Sequence, residues 1–131
     1  MQKKVKRKFN FRKFLFFIIF LFLLYMGISY LISVKTKNIV ILNNNYYSDD
    51  DIIYTAGIED YPKFILLNKN KIKDKLLKLD LIEDVTINKR FGFILEITVK
   101  EKKILYYIRS TNLYKASDNK SYELNNMIGI P

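Results

Sequence analysis

Hydrophobic positions along this chain are arranged in three ways: unbroken, at helical spacing and in alternation. The unbroken stretch is residues 14–34, FLFFIIFLFLLYMGISYLISV, which carry no charge. A helix of that length, at about 1.5 Å per residue, spans roughly 30 Å, the thickness of a hydrocarbon core. Backbone in lipid must close its own hydrogen bonds, so the stretch predicts a transmembrane helix. A long core helix of a small soluble protein would keep a polar face, and this one has none. A cleaved leader would have a shorter apolar run and a small-x-small cleavage site, and residues 31–34 offer only a poor one. The stretch is therefore read as a retained anchor.

Beyond the anchor the pattern changes period. Residues 37–42, KNIVIL, read as a strand, and Asn43, Asn44 and Asn45 end it in a turn. Ser48 then opens a helix as its N-cap, with Asp51 at the third helical position as an acidic variant of the capping box. Three successive aspartates invite a metal reading. Consecutive helical positions diverge by about 100°, so the three carboxylates cannot converge on one ion, and capping is the better account. Ile52, Ile53 and Ala56 form the apolar face, and Gly57 stops the helix.

Residues 58–67 connect to a second helix, and Phe64, Ile65 and Leu67 are expected to fold back on the core. That helix is placed over residues 70–79 by Ile72, Leu76 and Leu79, with a lysine stripe opposite. The stripe is either a solvated face or a surface for a polyanion. Residues 82–90 alternate, with Val85 and Ile87 on one face, and a tight connection at residues 90–92 leads into the clearest strand, 93–101. Its Phe93, Leu95, Ile97 and Val99 face one way; Glu96, Thr98 and Lys100 face the other. Residues 104–108 form another apolar run, and 113–124 predict a hairpin turning at Asp118, Asn119 and Lys120.

Charge sharpens the membrane reading. Lys3, Lys4, Lys6, Arg7, Lys8, Arg12 and Lys13 precede the anchor with no acid among them. Lys and Arg beside a first membrane helix favour the cytoplasmic face, so residues 1–13 form a cytoplasmic tail and the rest is extracytoplasmic. The tail also suits anionic lipid or a phosphate backbone, readings that stand beside the topology signal. The chain's net charge of +10 is mostly this tail; beyond residue 13, 16 basic side chains face 13 acidic ones. Cysteine and histidine are absent, which excludes a disulfide framework, a Cys/His metal site and a His-based triad. The sequence presents no phosphate loop, no G-x-S-x-G elbow and no recognisable pair of catalytic carboxylates. No enzyme activity, cofactor or small-molecule substrate is expected.

Strand, helix, helix, strand, strand after a single anchor with a basic tail resembles the FtsQ/DivIB family of bacterial division proteins. The match is carried by NIVILNNNYYSDDDIIYTAGI and by KIKDKLLKLDLIEDVTINKRFGFILEITVKEKK, including a basic-Arg-aromatic segment at residues 85–91 and a V-x-E ending at 99–101. The first turn has Asn43-Asn44 where the family favours Gly-Asn, and Gly92 stands where it favours Pro. The resemblance implies an α+β fold: a POTRA-like β-α-α-β-β domain over residues 36–103, then the first strands of an incomplete β domain over 104–131. Members continue well beyond this point, so the chain is expected to be a fragment or a short form.

The resemblance further implies a non-enzymatic divisome scaffold in the plasma membrane, enriched at the septum, with FtsL and FtsB/DivIC as partners. It makes residues 82–90 an edge strand, on which Val85, Ile87 and Lys89 would help dock a partner by strand addition. Against that, plain core positions are the better account of Val85 and Ile87. The alternative function is another anchored POTRA-type module, chaperone-like and not specific to division. A membrane-tethered nucleic-acid binder acting through the tail is a third reading, but no nucleic-acid partner is expected. The topology has a direct test: protease added to intact spheroplasts should digest the part beyond residue 34 and spare the basic leader.

Overall fold

The apolar stretch is a single helix, α1 (Phe11–Ser33), in a computed structural model that describes residues 7–123. None of its residues is buried, and it is long and apolar enough to cross a membrane. It starts three residues earlier than the apolar pattern predicts, taking in Arg12 and Lys13. Both are good helix formers, and their long stems let a charged head reach headgroups while the backbone stays helical. Arg7 and Lys8 lie in exposed, non-helical chain, whereas Lys3, Lys4 and Lys6 fall outside the described residues.

The chain divides after Val34 into α1 with its tail and a second unit. In that unit β1 (Asn38–Leu42) leads to α2 (Asp49–Ala56), α3 (Lys69–Leu76), β2 (Ile82–Arg90) and β3 (Ile94–Glu101). The sheet order is β1-β3-β2: β3 pairs parallel with β1 on one side and antiparallel with β2 on the other. In-register partners Ile39 and Leu95, Ile41 and Ile97, Ile97 and Ile87, and Val99 and Val85 point to one face. There they pack with Ile52 and Ala56 of α2 and Ile72 and Leu76 of α3 to form the core.

Local chemistry sets each boundary. Ser48 Oγ accepts from the Asp51 N–H at 3.1 Å while Asp51 accepts from the Ser48 N–H at 3.3 Å, a reciprocal capping box. Gly57 ends α2 in the left-handed region at φ 68°, where a side chain would be strained. The start of α3 is capped by Asn68, which accepts from the N–H groups of Asn70 and Lys71 at 3.0 and 3.3 Å. That cap places the helix start at residue 69. Its end comes earlier than the spacing predicts: after Leu76 the bonds tighten to i–3, from Lys78 to Lys75 and from Leu79 to Leu76. Leu79 still packs on the core, but from a turn.

Two apolar expectations are corrected. Ile65 does not fold back; it is 46% exposed, and its carbonyl accepts from Lys89 Nζ at 3.1 Å, while Phe64 and Leu67 do turn inward. Phe93 is not part of β3. With Gly92 at φ 87° and Phe93 at φ 61°, the connection is a three-residue loop of residues 91–93. An aromatic residue in that region is strained. It is held by the Lys37 N–H bond to its carbonyl (2.9 Å) and by an edge-on stack with Phe64, centroids 5.6 Å apart.

A second small sheet follows, β4 (Ile104–Ile108), β5 (Leu113–Ala116) and β6 (Ser121–Tyr122), in antiparallel order β4-β5-β6. The β5–β6 turn falls at residues 117–120, with Asn119 at φ 63°, where the sequence places it; Leu124, at the end of the expected hairpin, and the rest of the expected β segment to residue 131 lie outside the described residues. Only Ala116 of this sheet is fully buried. It is stitched to the end of β3 by Lys102, whose Nζ reaches Asp118 at 3.0 Å and the Tyr122 hydroxyl at 2.8 Å.

Urea unfolding of the full chain in detergent micelles, followed by circular dichroism, checks this layout. Ile97→Ala should cost about 2–5 kcal/mol by leaving a cavity under two helices. Ser48→Ala should cost about 1 kcal/mol through loss of the cap.

Candidate functional site

The helices cover one face of the three-stranded sheet and leave two features open: the opposite face and the outer edge of β2. Edge status follows from the order β1-β3-β2, because among the described strands β2 pairs only with β3. At nine residues it is a longer edge than the five-residue β1 on the other side. An edge of that kind offers unpaired backbone groups for strand addition.

Of the three residues expected to dock a partner, two have their side chains in the core. Val85 is 1% exposed and Ile87 7%, both packed with Leu95, Ile97 and Val99. Alternation dictates this: on a strand with one buried face, the apolar set must point to the helices. What these positions present outward is backbone only. The β2 side chains that face away from the helices are Thr86, Asn88 and Arg90, each of them exposed, whereas the exposed Asp84 carboxylate turns back to pair with Lys73 of α3 at 2.8 Å. Lys89 belongs to the helix side but reaches past it. Its ammonium lies 5.5 Å from the Phe64 ring centroid and donates to the Ile65 carbonyl, and burial, with Lys69 nearby, lowers its pKa. Lys89 therefore ties the β2 edge to the 58–67 connector.

The open face is polar and organised by one ion pair. Arg90 closes on Glu96 in a two-pronged contact, Nη2 lying 2.8 Å from Oε1 and Nε facing Oε2. Asn88, directly across from Glu96 in the ladder, donates to the same carboxylate. These bonds, Arg90 first and Asn88 with it, hold the Glu96 carboxyl below its ordinary range against the opposing effect of burial. The same pairing raises the Arg90 guanidinium. The sequence shows Arg90 and Glu96 as a basic-aromatic segment and one polar strand position; their diagonal meeting follows only from the hairpin register.

At the far end of β3, Glu101 does something the sequence motif does not reveal. Its carboxylate accepts from the backbone N–H groups of Asn45, Tyr46 and Tyr47 at 2.8, 3.1 and 3.4 Å. Three successive donors on one carboxylate clamp the loop that joins β1 to α2. The Tyr47 hydroxyl accepts from the Leu81 N–H at 3.2 Å, and burial raises its pKa. Beside this clamp lies a shallow hollow of about 530 Å³ on the open face, lined by Asn43, Asn45, Asp84, Thr86, Lys100 and Lys103 among others. Among the described residues no cluster of carboxylates has the arrangement to hold a metal ion. The arrangement as a whole is suited to binding through an edge and a polar face.

Residues 34–102 match the family described as POTRA domain, FtsQ-type. The chain is 26% identical over 104 residues to a protein named cell division protein DivIB from Brevibacillus brevis, covering 78% of this chain and 39% of that one. It is 30% identical over 78 residues to DivIB of Clostridium acetobutylicum, covering 60% of this chain and 31% of the relative. With DivIB of Bacillus anthracis it shares 28% identity over 109 residues, 82% of this chain and 41% of the relative. The chain thus spans about two fifths or less of these relatives.

Two substitutions separate the clamps. Glu101→Ala should cost about 1–3 kcal/mol, since it leaves three loop donors without their carboxylate. For Glu96 the sign follows from its lowered pKa. Its stabilising effect is present above the unfolded value and is lost as the pH falls through the lower folded one. Urea midpoints measured across the acid range should therefore fall less steeply in Glu96→Gln than in the parent.

Proposed function

The chain belongs to the FtsQ/DivIB family of bacterial division proteins, and on that footing we propose that it is a bitopic membrane scaffold of the divisome. It works by binding, not by chemistry, and links division proteins through the unit beyond α1 during septum formation. The observation that carries this reading is the coincidence of the matched residues, 34–102, with a folded sheet-and-helix unit placed directly after one span-length helix. The domain plan proposed is a basic cytoplasmic tail over 1–13, a membrane segment at 14–34, a POTRA domain over 36–103 and the opening of a β domain over 104–131.

In this reading the N-terminus is cytoplasmic, held there by Lys3, Lys4, Lys6, Arg7, Lys8, Arg12 and Lys13, and the folded unit is extracytoplasmic. Partners are other single-span division proteins of the FtsL and FtsB/DivIC type. The β2 edge is the proposed docking line, through the backbone at Val85 and Ile87, with Lys89 fixing the strand against the connector. The exposed Thr86 and Asn88 are placed to select the partner's alternate side chains.

A fluorescent fusion in the source bacterium should concentrate at midcell, and depletion should give filaments. Uniform membrane fluorescence with crosslinks to unfolded secreted chains would favour a chaperone-like module instead. For the edge itself, Lys89→Pro is the probe, because the backbone alternates in direction along a strand and the Lys89 N–H points outward with those of Val85 and Ile87, while its side chain lies outside the core. It should abolish partner pulldown, whereas unchanged pulldown by a variant with a parent-like circular dichroism spectrum would remove the edge model.

A further inference from the structure

The loop between β2 and β3 carries the most exposed aromatic side chain described in the folded unit. Phe91 is fully exposed, at 103%, and sits at the apex between Arg90 and Gly92. An isolated surface phenylalanine needs no explanation. This one stands at a particular end of the unit, and the β1–β3 register shows which end. Because β1 and β3 are parallel with Asn38 opposite Ile94, the β2–β3 loop lies beside the start of β1. The Lys37 N–H bond to the Phe93 carbonyl joins the two directly.

That end is also where the chain arrives from α1. Thr36 is 4% exposed, and both its N–H and its hydroxyl donate to the Pro62 carbonyl, at 3.0 and 2.9 Å. The chain is therefore built into the fold by residue 36. Fully extended, the link from Ser33 to Thr36 spans at most about 11 Å. The headgroup layer on each side of a bilayer is about 5–8 Å thick. With α1 spanning the bilayer, a link this short keeps Thr36 within reach of the headgroup layer.

The residues exposed there suit such a layer. Ile65, Leu66 and Tyr61 are 46%, 62% and 40% exposed on the connector that Thr36 and Lys89 hold to this end. Lys35, Lys37 and Lys63 add positive charge, against Glu59 and Asp60 as the nearest acids in the connector. The amphipathic ring of Tyr61 favours a membrane interface, lysine ammonium groups suit phosphate, and Phe91, Ile65 and Leu66 present apolar surface that suits the acyl boundary.

We propose that the β2–β3 loop seats in the headgroup layer of the bilayer, with Phe91 inserted as its apolar tip. The inference rests on reading α1 as a membrane span. It assigns one end of the unit to lipid, which leaves the length of the β2 edge for protein.

The test uses the absence of tryptophan from the chain. The full chain carrying Phe91→Trp is reconstituted into vesicles of phosphatidylcholine and phosphatidylglycerol, with or without brominated acyl chains. Asn45→Trp reports the opposite end of the sheet, and Phe22→Trp reports the middle of α1. Phe91 is fully exposed, so its replacement disturbs no packing, and circular dichroism verifies the fold. Indole emission from the Phe91→Trp variant should be blue-shifted and quenched by bromine at least about twofold more strongly than that from Asn45→Trp. Quenching in Phe22→Trp, with none in Phe91→Trp beyond the Asn45→Trp level, would overturn the proposal while keeping the anchor, and would leave the loop to a protein partner. No quenching in Phe22→Trp would overturn the anchor, and the seating with it.

Discussion

The folded unit beyond α1 depends on β3 being paired on both sides while one of its faces is buried. A strand with a period of two can satisfy both demands only in one register, because a slip of one residue would turn Leu95, Ile97 and Val99 to the open face and bring Glu96 and Lys100 under the helices. The neighbours are locked in turn. Ile39 and Ile41 enter from β1 and Val85 and Ile87 from β2, all meeting the same helical surface. The two helices are short, at eight residues each, and could not persist alone in water. Their caps define their ends, and the sheet supplies their stability.

Both ends of β3 are pinned by polar contacts to distant parts of the chain. At its start, Lys37 and Phe64 hold the strained Phe93 loop. At its finish, Glu101 gathers the loop before α2, and Lys102 reaches forward to Asp118 and Tyr122 of the next sheet. The family's V-x-E ending thus has a mechanical role in this chain: the glutamate fixes the β1–α2 connection to the central strand. A carboxylate that bonds to three backbone donors is committed to structure, which suits the proposed role of the unit as a binding platform.

The burial of Val85 and Ile87 narrows how the proposed platform would recognise a partner. Edge addition reads backbone first, and backbone is the same at every position. Selectivity must come from the side chains that flank the edge on the open face, where Thr86, Asn88 and the Arg90–Glu96 pair present a polar, partly ionic surface. Proposed binding there and proposed lipid contact at the Phe91 loop are compatible, since they use the side and the tip of the same hairpin.

Much of this architecture was legible in the residues. The anchor, the Ser48 cap, the Gly57 stop and the alternation of β2 and β3 depend on local rules, namely length in lipid, reciprocal hydrogen bonds, a left-handed backbone and a period of two. The order of these elements also carried the family resemblance. What the residues alone left open were relations between segments distant in sequence. Val85 and Ile87 fit a core strand better than a docking strand from the residues alone, and the helices that cover them decide it. Ile65 and Phe93 read as core because hydrophobicity does not reveal that a carbonyl is needed by Lys89 or that a loop must turn. The clamp of Glu101 on residues 45–47 lies more than fifty positions from its carboxylate, so no local pattern could announce it. Nor could any pattern show that the Phe91 loop shares an end with Thr36, because a parallel pairing, which joins strands across two intervening helices, is decided by packing of the whole unit.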